Sequence, residues 1–125
     1  TQVAATHGDL HMRNLIIGAR TMGIDFSAGR SVPVGHDIGR LLTDYAILHA
    51  PTTRIRPGEV LPDFARDGFF SGYTLTGPED PSVQLLLRHR LLAEWWGLPV
   101  EGRSLAQNRR LHGVLAVAAR AFPGA

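Results

Sequence analysis

Two carboxylates and a carboxamide are concentrated near one end of this chain, in His7-Gly8-Asp9-Leu10-His11-Met12-Arg13-Asn14 and, a little further on, Gly23-Ile24-Asp25-Phe26. Asp9 and Asn14 lie five residues apart on a loop, and Asp25 ends a short apolar run. If that run folds back as a hairpin, two carboxylates and an amide oxygen converge. Such a set suits Mg²⁺, a hard cation that takes a few protein oxygens and completes its shell with water and phosphate. In phosphoryl transfer the protein chiefly positions groups and stabilises charge: one carboxylate accepts the proton of the attacking hydroxyl, while an Asn and a second carboxylate hold metal against the phosphates.

The elements that must position these groups are legible from periodicity. Leu15 to Gly18 and Met22 to Phe26 are apolar runs separated by Ala19-Arg20-Thr21, the pattern of a tight β-hairpin. From Asp37 the period becomes helical through Ile38, Leu41, Leu42, Tyr45 and Leu48, and Pro51 stops it. Asp63 to Tyr73 is a weaker helix, interrupted by Gly68 and Gly72. Asp80-Pro81 is a good helix start, since Pro fits the first helical position and Asp caps free amides. That helix carries Leu86, Leu87, Leu91, Leu92, Trp95 and Trp96 and ends at Gly97. Ser104 opens a last helix with Leu111, Leu115, Ala118 and Phe122 on one face, closed by Pro123. The expected fold class is α+β, mainly α: a small hairpin followed by helices in one lobe, not a doubly wound sheet.

The string His-Gly-Asp-Leu-His-x-x-Asn followed by Ile-Asp-Phe resembles the catalytic and metal-binding loops of the aminoglycoside phosphotransferase and choline kinase family, distant relatives of the protein kinases. The resemblance implies the helical C-terminal lobe of a protein-kinase-like fold, with Asp9 as the base toward a substrate hydroxyl and Asn14 and Asp25 as Mg²⁺ ligands. His11, where protein kinases carry a lysine, is then expected near the γ-phosphate of ATP. His7 is expected to brace the loop, and a buried, hydrogen-bonded imidazole is also its plain reading. The likeness continues through Gly35-His36-Asp37-Ile38-Gly39-Arg40, similar to the family's Asp-led central helix. It implies that Asp37 accepts backbone amides of the catalytic loop and holds it in shape. The motif-bearing likeness covers residues 5 to 48; the later helices match the substrate-side lobe in pattern alone.

Some features depart from the family. Ser27 follows Asp25-Phe26 where protein kinases have glycine, Met12-Arg13 replaces a frequent Pro-Gly, and the hairpin is short. Arg13 thereby points a new charge toward substrate or solvent. No Gly-rich phosphate loop is present, and all 13 Lys+Arg residues are arginine. Arginine does not replace a phosphate-pairing lysine, because its geometry and hydration differ. Residues 1–125 are therefore expected to be a partial phosphotransferase domain whose N-terminal nucleotide-binding lobe is missing, inactive by itself.

Composition narrows the partners. The 125 residues carry a formal charge of +2, no cysteine, and 44% hydrophobic residues. One compact core is affordable, while disulfides and thiolate metal sites are excluded. No apolar run spans a bilayer and no signal peptide is recognisable, which points to a cytoplasmic protein without a membrane partner. Arg109-Arg110, the longest basic run, has no interleaved aromatics and reads as a solvated helix face, so nucleic acid is not expected.

Two other readings compete. The Asp9-x-His11 pair, with His7, also occurs in two-metal phosphoesterases, but His36, His49, His89 and His112 are scattered and lack companion motifs. A degenerate kinase-like lobe that only binds a partner is the other alternative. The substrate is a small molecule whose identity the residues do not reveal. Asp63, Asp67, Glu94 and Glu101 could line a pocket for a cation, and they fit solvent-facing helix positions as well.

Overall fold

The structure, a computed structural model, describes residues 3–5, 7, 10–16, 18–23, 31–33 and 35–124, with 3–5, 31–33 and 51 described by their backbone alone. Helix dominates. Four short strands, β1 (Val3–Ala5), β2 (Leu15–Ile16), β3 (Met22–Gly23) and β4 (Ser31–Pro33), precede four helices: α1 (Gly35–His49), α2 (Asp63–Gly72), α3 (Pro81–Trp96) and α4 (Leu105–Ala121).

The strands are nested. β2 pairs antiparallel with β3, Leu15 opposite Gly23 and Ile16 opposite Met22. Outside them β1 pairs antiparallel with β4, Val3 opposite Pro33 and Ala5 opposite Ser31. The inner pair is the expected hairpin, shorter than its apolar runs; the continuation of those runs at 17 and 24–26 lies outside the described residues. The outer pair has no clear period in so few residues, and only pairing across the chain reveals it. It matters for position, because β4 delivers the chain directly into α1 beside the loop that leaves β1.

Each long helix starts where its chemistry dictates. The Asp80 carboxylate accepts the Ser82 N–H at 2.9 Å, with Pro81 at the first helical position of α3. Ser104 and Gln107 form a reciprocal capping box at the start of α4. α1, α3 and α4 enclose the core, in which Ile38, Leu42, Leu87, Leu91, Val114 and Val117 are all 4% exposed or less. Burying one such side chain fully stabilises the fold by about 1.5–3 kcal/mol. Between α1 and α2 the chain has little regular structure, yet Ile55, Val60 and Leu61 enter the same core. Arg88 Nη2 donates to Gly58 O at 2.6 Å, and the Gly58 N–H donates to Arg120 O at 2.7 Å, fastening this segment to α3 and α4.

The inward face of α4 differs from the apolar stripe read from sequence. Gly113, Val114, Val117 and Ala121 point inward, while Leu115 is 51% exposed. The reason is a close approach: a Cβ on Gly113 would stand 2.3 Å from the Ile47 carbonyl oxygen. α4 turns its least bulky edge to α1 so that the two backbones can meet. On α3, likewise, Leu92, Trp95 and Trp96 are left exposed and Val83, Leu87 and Leu91 form the core stripe. α2 has no fully buried residue and covers the core edge with Phe69 and Phe70, Tyr73 following at its end. Among the described residues, no helix is long and apolar enough to cross a membrane.

Candidate functional site

Beyond β1, two described residues, His7 and Met12, are held against α1. The His7 N–H donates to the Asp37 carboxylate at 2.5 Å, and the Met12 N–H donates to Asp44 Oδ2 at 2.9 Å. Asp37 and Asp44 are seven residues apart on α1, about 10 Å along a helix axis and on the same side of it. Two carboxylates of one helix therefore hold the two ends of the segment 7–12. Asp37 also sits in the first turn of α1, where free amides and the helix dipole favour a negative charge.

Within the loop, His11 is extended, and Met12–Asn14 makes one 3₁₀ turn closed by the Asn14 N–H on His11 O at 2.9 Å. That turn feeds β2. Asn14 is 6% exposed and His7 is 7% exposed, so both are drawn into the protein. Because Gly23 pairs with Leu15, the strand that leads toward Asp25 runs back beside the position next to Asn14. Asp9 and Asp25 themselves lie outside the described residues, as do Ile24, Phe26 and Ser27.

Asp44 does more than accept an amide. Its second oxygen pairs with Arg110 Nη2 at 2.7 Å; Arg110 also reaches Glu94 at 3.2 Å, and Arg90 pairs with Glu94 at 2.7 Å. This chain of charges links the loop through α1 to α4 and α3. Sequence reasoning missed Asp44 and Arg110. The only local signals were the seven-residue spacing from Asp37 and the i,i+4 spacing of Arg90 and Glu94. Of the basic run, Arg109 is exposed as expected, whereas Arg110 turns inward to these carboxylates.

Tyr73, at the end of α2, has its pKa raised, first by burial and then by the negative charge of Asp37. A protonated phenol thus stays beside the anionic start of α1 through neutral pH.

The loop separates two clefts. Met12 and Leu15 face an apolar one of about 300 Å³, bounded by Tyr45, Phe64 and Phe69. His11 and Arg13 border a charged one of about 530 Å³, formed with Arg40 and Asp44 of α1, Arg90 and Glu94 of α3, and Arg110 of α4. The acidic residues considered for a cation pocket are elsewhere or engaged. Asp63 pairs with Arg56 at 2.8 Å, Asp67 with Arg66 at 3.1 Å, and Glu101 is exposed.

His36, His49, His89 and His112 are all exposed, and among the described residues no three His, Cys, Asp or Glu side chains gather closely enough to hold a metal. Of the two Mg²⁺ ligands that the resemblance implies, Asn14 alone lies among the described residues, buried at the end of a 3₁₀ turn. Comparison with protein-family models, with curated proteins and with solved structures finds no match.

Proposed function

We propose that this chain is the catalytic, helical lobe of an ATP-dependent small-molecule phosphotransferase of protein-kinase-like fold. The observation that carries the reading is the two-point anchorage of the loop bearing Asp9: His7 N–H on Asp37 and Met12 N–H on Asp44, with Asn14 buried beside the β2–β3 pair. Phosphoryl transfer asks the protein mainly for position, and the two anchored residues flank Asp9 in the sequence, which supports this reading.

In the proposed reaction Asp9 accepts the proton of the substrate hydroxyl as that oxygen bonds to the γ-phosphorus. The bond from phosphorus to the β–γ bridging oxygen breaks, and ADP leaves with its electron pair. Asn14 and Asp25 would hold Mg²⁺, which supplies charge neutralisation on the phosphates. His11, on the same loop, would donate to a phosphate oxygen. His7 and Asp37 act on loop shape and do not touch the reacting atoms. The parent protein would provide the nucleotide-binding lobe.

The test is ADP release by the full-length protein with ATP, Mg²⁺ and a panel of hydroxyl and amine compounds. Asp9→Asn should abolish turnover while the protein stays folded, and Asp25→Ala should weaken Mg²⁺-nucleotide binding. Near-normal turnover in Asp9→Asn would remove Asp9 as the base. Binding of a panel compound with no ADP release from wild type would favour the non-catalytic module instead.

A further inference from the structure

The connection between α3 and α4 forms, with the two helices, an apolar pocket of about 360 Å³. Trp95 and Trp96 from the last turn of α3, Pro99 and Val100 from the connection, and Leu111 from α4 line it, and Arg103 is its one charged lining residue. Much of this apolar surface meets solvent: Trp96 is 83% exposed and Val100 86%. A contiguous exposed apolar patch beside a polar group marks a binding surface, and Trp and Arg are the residue types that most often dominate binding energy.

The Arg103 guanidinium is held in place without being neutralised. Its Nη1 donates to Pro99 O at 2.9 Å and to Val100 O at 2.7 Å, and its Nε donates to Asn108 Oδ1 at 2.9 Å. All three acceptors are uncharged. Among the described residues Nη2 makes no hydrogen bond and no carboxylate pairs with Arg103. The neighbouring acids do not serve it: Glu94 is engaged by Arg90 and Arg110, and Glu101 is exposed outside the pocket lining. A fixed positive charge thus stands beside two indole rings, whose centroids lie 6.4 Å apart with their planes inclined at 61°.

We propose that this pocket binds a small aromatic carboxylate, its ring against the indoles and its carboxylate on Arg103 Nη2. A charge-assisted hydrogen bond is stronger than a neutral one, and a guanidinium already fixed by three bonds loses little freedom in making another. A flat ring suits indole better than an aliphatic chain does, because offset and edge contacts between π-systems add to plain burial. The volume fits a ligand of single- or double-ring size. The site is independent of the phosphotransferase reading, since none of its lining residues belongs to the segment from His7 to Asn14.

The experiment is titration calorimetry on the full-length protein without nucleotide, using 2-naphthoate, uncharged 2-naphthamide and ring-less acetate as probes. 2-Naphthoate should bind about tenfold or more tightly than either of the others. The indole N–H resonances of Trp95 and Trp96, assigned from their Phe variants, should shift as it is added. Trp96→Ala should weaken 2-naphthoate by about tenfold, and the exposed position of that side chain keeps the variant folded. Arg103→Gln should remove the preference for 2-naphthoate over 2-naphthamide, while Arg120→Gln, outside the pocket, changes neither. Should Arg103→Gln disturb the connection, the wild-type preference and Trp96→Ala decide the matter by themselves. Equal binding of 2-naphthoate and 2-naphthamide to the wild type, or 2-naphthoate affinity unmoved by Trp96→Ala, would overturn the proposal. Self-association lost in Trp96→Ala, with no 2-naphthoate binding, would also overturn it and assign the surface to a second copy. Because binding is measured without ATP, its failure and the absence of phosphoryl transfer are separate results.

Discussion

Asp44 and Arg110 meet at 2.7 Å with only 13% and 22% of their side chains exposed, while the other Asp44 oxygen holds the Met12 amide. One carboxylate thereby ties the loop to α1 and α1 to α4. Removing it leaves a partly buried guanidinium with Glu94 alone and an amide without its acceptor. Asp44→Ala should cost about 1–3 kcal/mol of stability, seen as a lower urea midpoint at unchanged slope. Asp44→Asn keeps an acceptor for Met12 and should cost less. Equal losses in the two variants would mean that the amide bond contributes nothing.

Asp37 acts at the other end of the same loop. Asp37→Ala should speed hydrogen exchange at the His7 amide and, if the phosphotransferase reading holds, lower kcat by about 10–100-fold with a small effect on KM, as loss of a supporting group around a metal site does. Restoration of turnover in Asp37→Asn would trace the effect to the hydrogen bond and not to the charge.

Two glycines should respond in opposite directions to the same change. Gly113→Ala forces a methyl group against the Ile47 carbonyl, where backbone must move, and should destabilise by about 1–3 kcal/mol. At Gly68, exposed in α2, an added Cβ meets nothing within 4 Å. Gly68→Ala should stabilise by about 0.5–1 kcal/mol through helix propensity. Thermal melts of both variants check the pair; loss of stability at both positions would contradict the contact argument.

The cap of α3 predicts a pH dependence. The Asp80 carboxyl is held below the usual aspartate range, first by the Thr76 hydroxyl and then by the Ser82 N–H and hydroxyl. A lowered folded-state pKa means that the contribution is complete above the unfolded-state value and is lost as pH falls through the folded-state one. Asp80→Asn should therefore melt below wild type at neutral pH, and the gap should close only under acid conditions. A gap that widened on acidification would reverse the sign and exclude the cap as its cause.

Local chemistry made much of the helical frame legible. Asp80-Pro81 and Ser104 mark helix starts through bonds made within a few residues, and Pro51 stops α1 soon after its last turn. The inner hairpin was readable for the same reason. β1 and β4 were not, because Val3–Ala5 and Ser31–Pro33 carry too few residues for a period and acquire meaning only by pairing across the intervening chain.

The site divides along the same line. Residue types singled out Asp9, Asn14 and Asp25 as a set suited to metal-assisted phosphoryl transfer, whereas the expected roles of His7, His11 and Asp37 came from the family resemblance. By itself the sequence thus determined a candidate chemistry and the order of the inner hairpin and the helices that follow it. Which face of α4 is buried, the joining of the loop to α1 by Asp44, and the gathering of arginines from three helices into one cleft were decided by tertiary packing. The physical reason is distance: capping and periodicity act over a few residues, whereas Asp44 finds Met12 and Arg110 only once the helices have packed.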